Sequence, residues 1–300
     1  MGERATGEGH VSFRGFRTWY RVVGEGEAPG RDPVLVLHGG PGTGHDYLEP
    51  LSALAASGRR VVFYDQLGCG RSDHPHDPSL WDVGLFVDEV AAVRAALDLP
   101  RVHLLGQSWG GMLALETALA KHPGLVSLVL ANSLASVPLW ISETNRLRDE
   151  LPPEVRATLS RHEADDTTGS TEYQGAVLTF YRRHVCRLDP WPECLERTFA
   201  NLAEDPEVYN VMFGPSEFHA TGVLKEWDVT PRLGEIRLPT LVLSGRFDEA
   251  TPAVVEALQR GIHGSERVVF EESAHMPHLE EPESFLRVVQ DFLERAETRP

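Results

Sequence analysis

The chain has 300 residues, 41% apolar and 8% aromatic, which is enough for a sizeable core and too apolar for a disordered chain. Its 28 basic and 45 acidic residues leave a formal charge of −17, which argues against a general nucleic-acid or anionic-membrane surface and favours a cationic substrate. Cys69, Cys186 and Cys194 are odd in number and lack CxxC or zinc-finger spacing, which argues against a disulfide framework or structural metal and fits a reducing cytoplasm.

Residues 1–10 are polar, without the apolar run of a secretory signal, so export by that route is not expected. Nowhere does the chain reach the ~20 apolar residues of a membrane helix. Over residues 11–23 apolar and aromatic side chains alternate about Arg14-Gly15, which predicts an edge β-hairpin. Continuous apolar runs at 34–37, 61–64, 102–105 and 125–130 predict strands buried on both faces. Helical spacing at 85–97 and a small-residue-rich stretch at 109–119 alternate with them, so the sheet should be mainly parallel. The rhythm breaks over 137–231, where helix-like, charged stretches replace buried strands. It resumes with a strand at 239–244, a helix at 252–260, a strand at 267–270 and a helix at 283–295. The expected organisation is an α/β core, residues 1–136 and 232–300, with a helical cap, 137–231, inserted between strands six and seven.

Gly106-Gln107-Ser108-Trp109-Gly110 matches G-x-S-x-G and falls between a predicted strand and a predicted helix, the context in which the serine is a nucleophile. A serine hydroxyl needs an imidazole base oriented by a carboxylate. Asp248 and His275 both follow predicted strands, giving the chain order Ser, Asp, His. Asp228, in the insertion, and His278, three residues past His275, are the alternatives; His278 ranks second because the loop distance from the strand and the helix expected near Pro282 favour His275. His38-Gly39-Gly40-Pro41-Gly42 offers backbone N–H groups for an oxyanion hole, with Gly40 as one donor and Trp109, just after the nucleophile, as the other. Residues 65–72 contain glycines but neither a full G-x-G-x-x-G nor a Gly-Lys-Ser/Thr end, which predicts a structural turn under the active site rather than a phosphate loop. No distinct Cys/His pair marks Cys69 as a nucleophile. No H-E-x-x-H spacing marks a metal site, and the chemistry asks for no cofactor.

With these motifs assembled, the chain resembles the proline iminopeptidase family of α/β-hydrolases, especially the branch typified by the tricorn-interacting aminopeptidase, which also includes aminoacyl peptidases of macrolactam biosynthesis. The resemblance spans nearly the whole chain. It is carried by His38 through Gly42, by 65–72 and 106–111, and by Ser136-Val137-Pro138-Leu139, Gly214-Pro215-Ser216-Glu217-Phe218 and Asp248-Glu249-Ala250-Thr251-Pro252. It implies an α/β-hydrolase fold with a helical cap, and two glutamates, matching Glu217 and Glu249, that hold the free α-amino group of a short peptide or small molecule. Tyr209 matches a family tyrosine near that amine site. Trp109 replaces the tyrosine that often follows the nucleophile, so a preference for proline is not simply inherited. The implied activity is release of an N-terminal amino acid; removal of an aminoacyl group from a natural product such as a macrolactam is the nearest alternative, and an esterase or a non-enzymatic receptor the more distant ones.

Overall fold

The computed structural model describes residues 7–298, so residues 1–6 of the N-terminal stretch discussed above lie outside it. Strands β1 (Gly7–Phe13) and β2 (Phe16–Val23) pair antiparallel through Arg14 and Gly15, both at positive φ, the geometry that lets a two-residue turn follow the twist of its strands. Then come β3 (Val34–Leu37), β4 (Val61–Tyr64), β5 (Val102–Gln107), β6 (Leu125–Ala131), β7 (Thr240–Gly245) and β8 (Glu266–Phe270). The sheet order is β1-β2-β4-β3-β5-β6-β7-β8, with every pair from β4 to β8 parallel and the hairpin at one edge.

Helices α1 (Val83–Ala96) and α2 (Trp109–Leu119) connect parallel strands. Between β6 and β7 run α3 (Val137–Arg148), α4 (Pro153–Ala164), α5 (Thr171–His184), α6 (Glu193–Glu204) and α7 (Glu207–Met212). After β7 come α8 (Pro252–Gly261), the single turn α9 (Pro277–Glu280) and α10 (Pro282–Glu297). The continuous apolar runs now have their reason: every residue of β3, β4, β5 and β7 is buried because both faces are covered. Leu35 and Leu37 pack with α1, α2 and α8, while Val34 and Val36 face α10 and a 3₁₀ helix, Asp46–Ser57. That 3₁₀ helix is absent from the sequence reading. Pro50 lies inside it and a Gly/Pro loop precedes it, so neither a helical period nor a start signal stands out. None of the described helices is long and apolar enough to cross a membrane.

The inserted helices have a small core of their own, with Leu159, Tyr173, Phe180 and Phe218 fully buried. Their two connections to the sheet run side by side. The Val137 N–H donates to Trp227 O and the Val229 N–H to Ala135 O, each at 2.9 Å. Asp228, the alternative triad acid, is spent here, accepting from the Ser136 hydroxyl at 3.1 Å and the Thr230 N–H at 2.8 Å.

The end of α10 is pinned under the sheet by Glu297. Its carboxylate accepts from Arg59 and the Asp32 N–H at 2.8 Å and from Arg31 at 2.9 Å, with His103 Nε2 at 3.3 Å. Desolvation opposes its charge, but hydrogen bonds from His103, the Asp32 N–H and Arg31, with the charge of Arg59, outweigh it and pull the pKa from 4.5 to about 2. A carboxylate depressed in the folded state adds stability that is full above the unfolded value and is lost as pH falls toward 2. The shift corresponds to roughly 3 kcal/mol at neutral pH. Glu297→Gln, which leaves the fully buried Arg59 without its anion, is therefore expected to lower the unfolding free energy by about 3 kcal/mol at pH 7 in a urea titration. An unchanged midpoint would show that the network contributes nothing net.

Candidate active site

β5 ends at Gln107 and α2 begins at Trp109, so the whole change of direction falls on Ser108, at φ 54° and ψ −121°. Only close approach of backbone allows this turn: a Cβ on Gly106 would lie 2.1 Å from Gly110 O, and one on Gly110 would lie 2.0 Å from Leu37 O. The Ser108 N–H donates to Ala131 O at 2.9 Å, and the Ser133 hydroxyl donates to Ser108 O at 2.8 Å. The serine is thus held in a sparsely populated conformation by the strand beside it, a strain typical of functional sites.

His275 follows β8 and Asp248 follows β7. His275 Nδ1 donates to Asp248 Oδ1 at 2.7 Å. The aspartate is fixed in turn: Oδ1 accepts from the Ala250 N–H at 2.9 Å, and Oδ2 accepts from Asn132 Nδ2 at 2.6 Å and the Gly245 N–H at 3.3 Å. The Trp140 ring stands edge-on to the imidazole, centroids 5.9 Å apart. Among the described residues Ser108 Oγ makes no hydrogen bond to His275, although both line one cavity; such bonds are often long in free enzymes and tighten with substrate. His278 is buried elsewhere, its Nε2 donating to Tyr47 O at 3.2 Å, and burial lowers its pKa to about 3. Among the described residues it makes no hydrogen bond to a carboxylate, the partner that a triad base requires.

Gly40, at φ 103°, lines the same cavity. Neither its N–H nor that of Trp109 donates to any protein group among the described residues, so both are free for an anion. The loop before it is set by His38, which accepts from the Gln66 N–H at Nε2 and donates from Nδ1 to Gly39 O, each at 3.0 Å; burial lowers its pKa to about 4 and keeps it neutral. The Trp109 indole points away from the cavity, donating to Gln66 Oε1 at 2.8 Å and standing edge-on to Phe86. Replacing tyrosine at this position therefore leaves the cavity wall to other residues.

The cavity is closed by Tyr209 of α7, by Glu217 from the turn after α7 and by Glu249 from the turn after β7. Tyr209 donates to Glu217 Oε1 at 2.7 Å. Glu249 Oε1 lies 3.7 Å from His275 Nε2, and its Oε2 is buried without a hydrogen-bond partner among the described residues. Burial raises the pKa of both glutamates, partly offset at Glu217 by the Tyr209 hydrogen bond and reinforced at Glu249 by the charges of Glu217 and Asp248. The buried Glu249, with its unsatisfied oxygen, and the half-buried Glu217 together present two carboxyls suited to a cation.

The turn at 65–72 closes on an anion of its own, which rules out a phosphate there. Asp65 accepts from the His45 N–H and the Arg71 N–H, at 2.8 and 2.9 Å. A Cβ on Gly68 would meet Val208 at 2.6 Å, so the turn seats α7 and with it Tyr209. Cys69 is buried, and desolvation raises its thiol pKa well above the usual value, the opposite of an activated nucleophile. Two described clusters have cation-binding geometry, Asp32–His103–Glu297 and His45–Asp46–Glu49, but arginines already neutralise both.

Residues 32–282 match the alpha/beta hydrolase fold family. The proline iminopeptidase of Heyndrickxia coagulans is 44% identical over 286 residues, covering 95% of this chain and 98% of that one. The chain belongs to the proline iminopeptidase family. The crystal structure of proline iminopeptidase from Mycobacterium smegmatis is similar at 44% identity and TM-score 0.89, covering 97% of this chain and 98% of its own. That of VinJ is similar at 46% identity and TM-score 0.93, covering 96% and 98%. Within this iminopeptidase-family site, sequence reasoning missed Tyr47, Tyr181 and the side chain of Gln107, all of which line the cavity. Gln107 was visible only as the variable position of G-x-S-x-G. Tyr181 lies in the inserted helices, where nothing local distinguishes a wall residue from a packing one.

Proposed function

We propose that the protein is a serine aminopeptidase that releases a free N-terminal amino acid, proline or another small residue, through an acyl-enzyme. The observation that carries this reading is the placement of two carboxyls, the half-buried Glu217 and the buried Glu249, in one cavity with Ser108 and His275. A plain esterase has no use for them. In this reading residues 137–231 act as one cap that brings Glu217 and Tyr209 over a core carrying the remaining groups. The cytoplasm, where the three free cysteines stay reduced, is its proposed setting.

The substrate ammonium binds between the glutamates by charge-assisted hydrogen bonds, and this anchor sets the first carbonyl carbon over Ser108. Ser108 Oγ attacks while His275 Nε2 takes its proton, and Asp248 orients and stabilises the imidazolium. The Gly40 and Trp109 N–H groups hold the oxyanion. His275 then passes the proton to the leaving nitrogen, the C–N bond breaks and an ester to Ser108 remains. Water, deprotonated by His275, attacks that ester; the amino acid leaves and Ser108 regains its proton. Protein groups and water supply every step.

A panel of L-aminoacyl nitroanilides, each with an N-acetylated copy, tests the reading. Turnover of the free-amine forms is expected to exceed that of the acetylated forms by at least ~100-fold. Equal turnover would overturn the amine site. A second reading is favoured by the groove of about 490 Å³ that continues outward past Tyr181, Phe199, Leu202 and Tyr209. Among the described residues no charged side chain lines it, so the carboxylate of a short peptide finds no cation there, and a larger uncharged leaving group such as a macrolactam fits its chemistry better.

A further inference from the structure

We propose that Tyr47 and Gln107 are a positioning pair that fixes the oxyanion loop, the nucleophile turn and the base-bearing loop relative to one another. The inference rests on the acyl-transfer reading above. Tyr47 belongs to the 3₁₀ helix Asp46–Ser57 and is 2% exposed. Its hydroxyl accepts from the Gly39 N–H at 2.8 Å and donates to Gln107 Oε1 at 2.5 Å. Gln107, immediately before Ser108, donates from Nε2 to the carbonyl of His275 at 3.2 Å. The loop after β3, the end of β5 and the loop after β8 are joined by this one chain of hydrogen bonds.

The direction of the chain is forced. A backbone N–H only donates and a backbone carbonyl only accepts, so the Tyr47 proton must go to Gln107, and Gln107 must turn its oxygen to Tyr47 and its amide nitrogen to His275. Burial raises the Tyr47 pKa and keeps the phenol protonated for this role. Gly39 is matched to the pair as well: a Cβ there would lie 2.8 Å from both Gln107 Oε1 and Tyr47 OH and 3.2 Å from Ser108 Cβ. Tyr47 is clamped from two further sides. Its N–H donates to Thr198 Oγ1 of α6 at 3.1 Å, its carbonyl accepts from His278 Nε2, and its ring meets the His278 ring at 5.7 Å.

Each anchored segment carries a reacting group next in sequence: Gly40 beside Gly39, Ser108 beside Gln107, and the imidazole on His275 itself. The pair therefore holds oxyanion donor, nucleophile and base at fixed separations while the substrate amine is bound elsewhere, by Glu217 and Glu249. Loosening it should slow chemistry and leave amine recognition intact.

Tyr47→Phe, which keeps the ring and deletes the hydroxyl, is expected to lower kcat ~100-fold with KM for a free-amine aminoacyl nitroanilide unchanged within about 3-fold. Labelling of Ser108 by a fluorophosphonate should slow in parallel. Gln107→Met interrupts the same chain from its other end, carries the test should Tyr47→Phe fail to fold, and should give a similar loss. The double variant should fall no further than the weaker of the two, because both break one network. Wild-type kcat and labelling rate in folded Tyr47→Phe, or fully additive losses, would overturn the inference. A wild-type enzyme that the fluorophosphonate does not label would instead overturn the acyl-transfer reading beneath it.

Discussion

Replacing Ser108 with alanine is expected to lower turnover of a free-amine aminoacyl nitroanilide about a millionfold, to the residual rate that binding and oxyanion stabilisation alone support. The size follows from what the hydroxyl does. In the proposed mechanism it is the atom that forms the covalent intermediate, and without it His275 and Asp248 have no proton to move. The substitution removes one oxygen from a turn held by backbone contacts on both sides, so the fold and the amine site should persist. Single-turnover kinetics, with thermal melting as a check on folding, measure it. Turnover at the wild-type rate in purified variant enzyme would remove Ser108 from the mechanism.

The second large effect concerns the carboxyl pair. Glu249→Gln and Glu217→Gln preserve shape and remove charge, and each is expected to cost about 2–5 kcal/mol of transition-state binding for free-amine substrates, the range for breaking a buried charge pair. In kcat/KM this is a fall of roughly 30- to 5000-fold. Acetylated substrates should be hardly affected, so discrimination against them should collapse. The raised pKa values add a pH signature. A carboxyl whose pKa is raised keeps its proton to higher pH, and only the ionised form attracts an ammonium. KM should therefore fall as pH rises through the titration of the pair, until the substrate amine itself loses its proton near ~8. Binding should release protons, measurable by calorimetry in buffers of different ionisation enthalpy. A KM independent of pH, with Gln variants at wild-type kcat/KM, would count against the glutamates as the amine site.

Much of this protein was legible along the chain because short-range rules governed it. Buried parallel strands must be apolar on both faces, so 34–37 and 61–64 were readable to the residue. The turn at Ser108 admits only glycine at Gly106 and Gly110, and that steric requirement is written as a motif. Strand ends announce Asp248 and His275 because a parallel sheet gathers its C-terminal loops at one edge. Other features depend on what approaches from far away. Glu217, in the turn after α7, looks like any surface glutamate until folding sets it in one cavity with Glu249, and Tyr47 looks like any core aromatic until Gly39 and Gln107 meet its hydroxyl. Apart from the eight-residue step from Gly39 to Tyr47, such contacts join segments tens to more than a hundred residues apart, and no local period or turn rule records them. Local sterics and hydrophobic period are properties of neighbours in sequence; burial of a charge and the partner of a hydroxyl are properties of neighbours in space, and for this chain those decide the proposed amine site and the hydrogen bonds proposed to align the reacting groups.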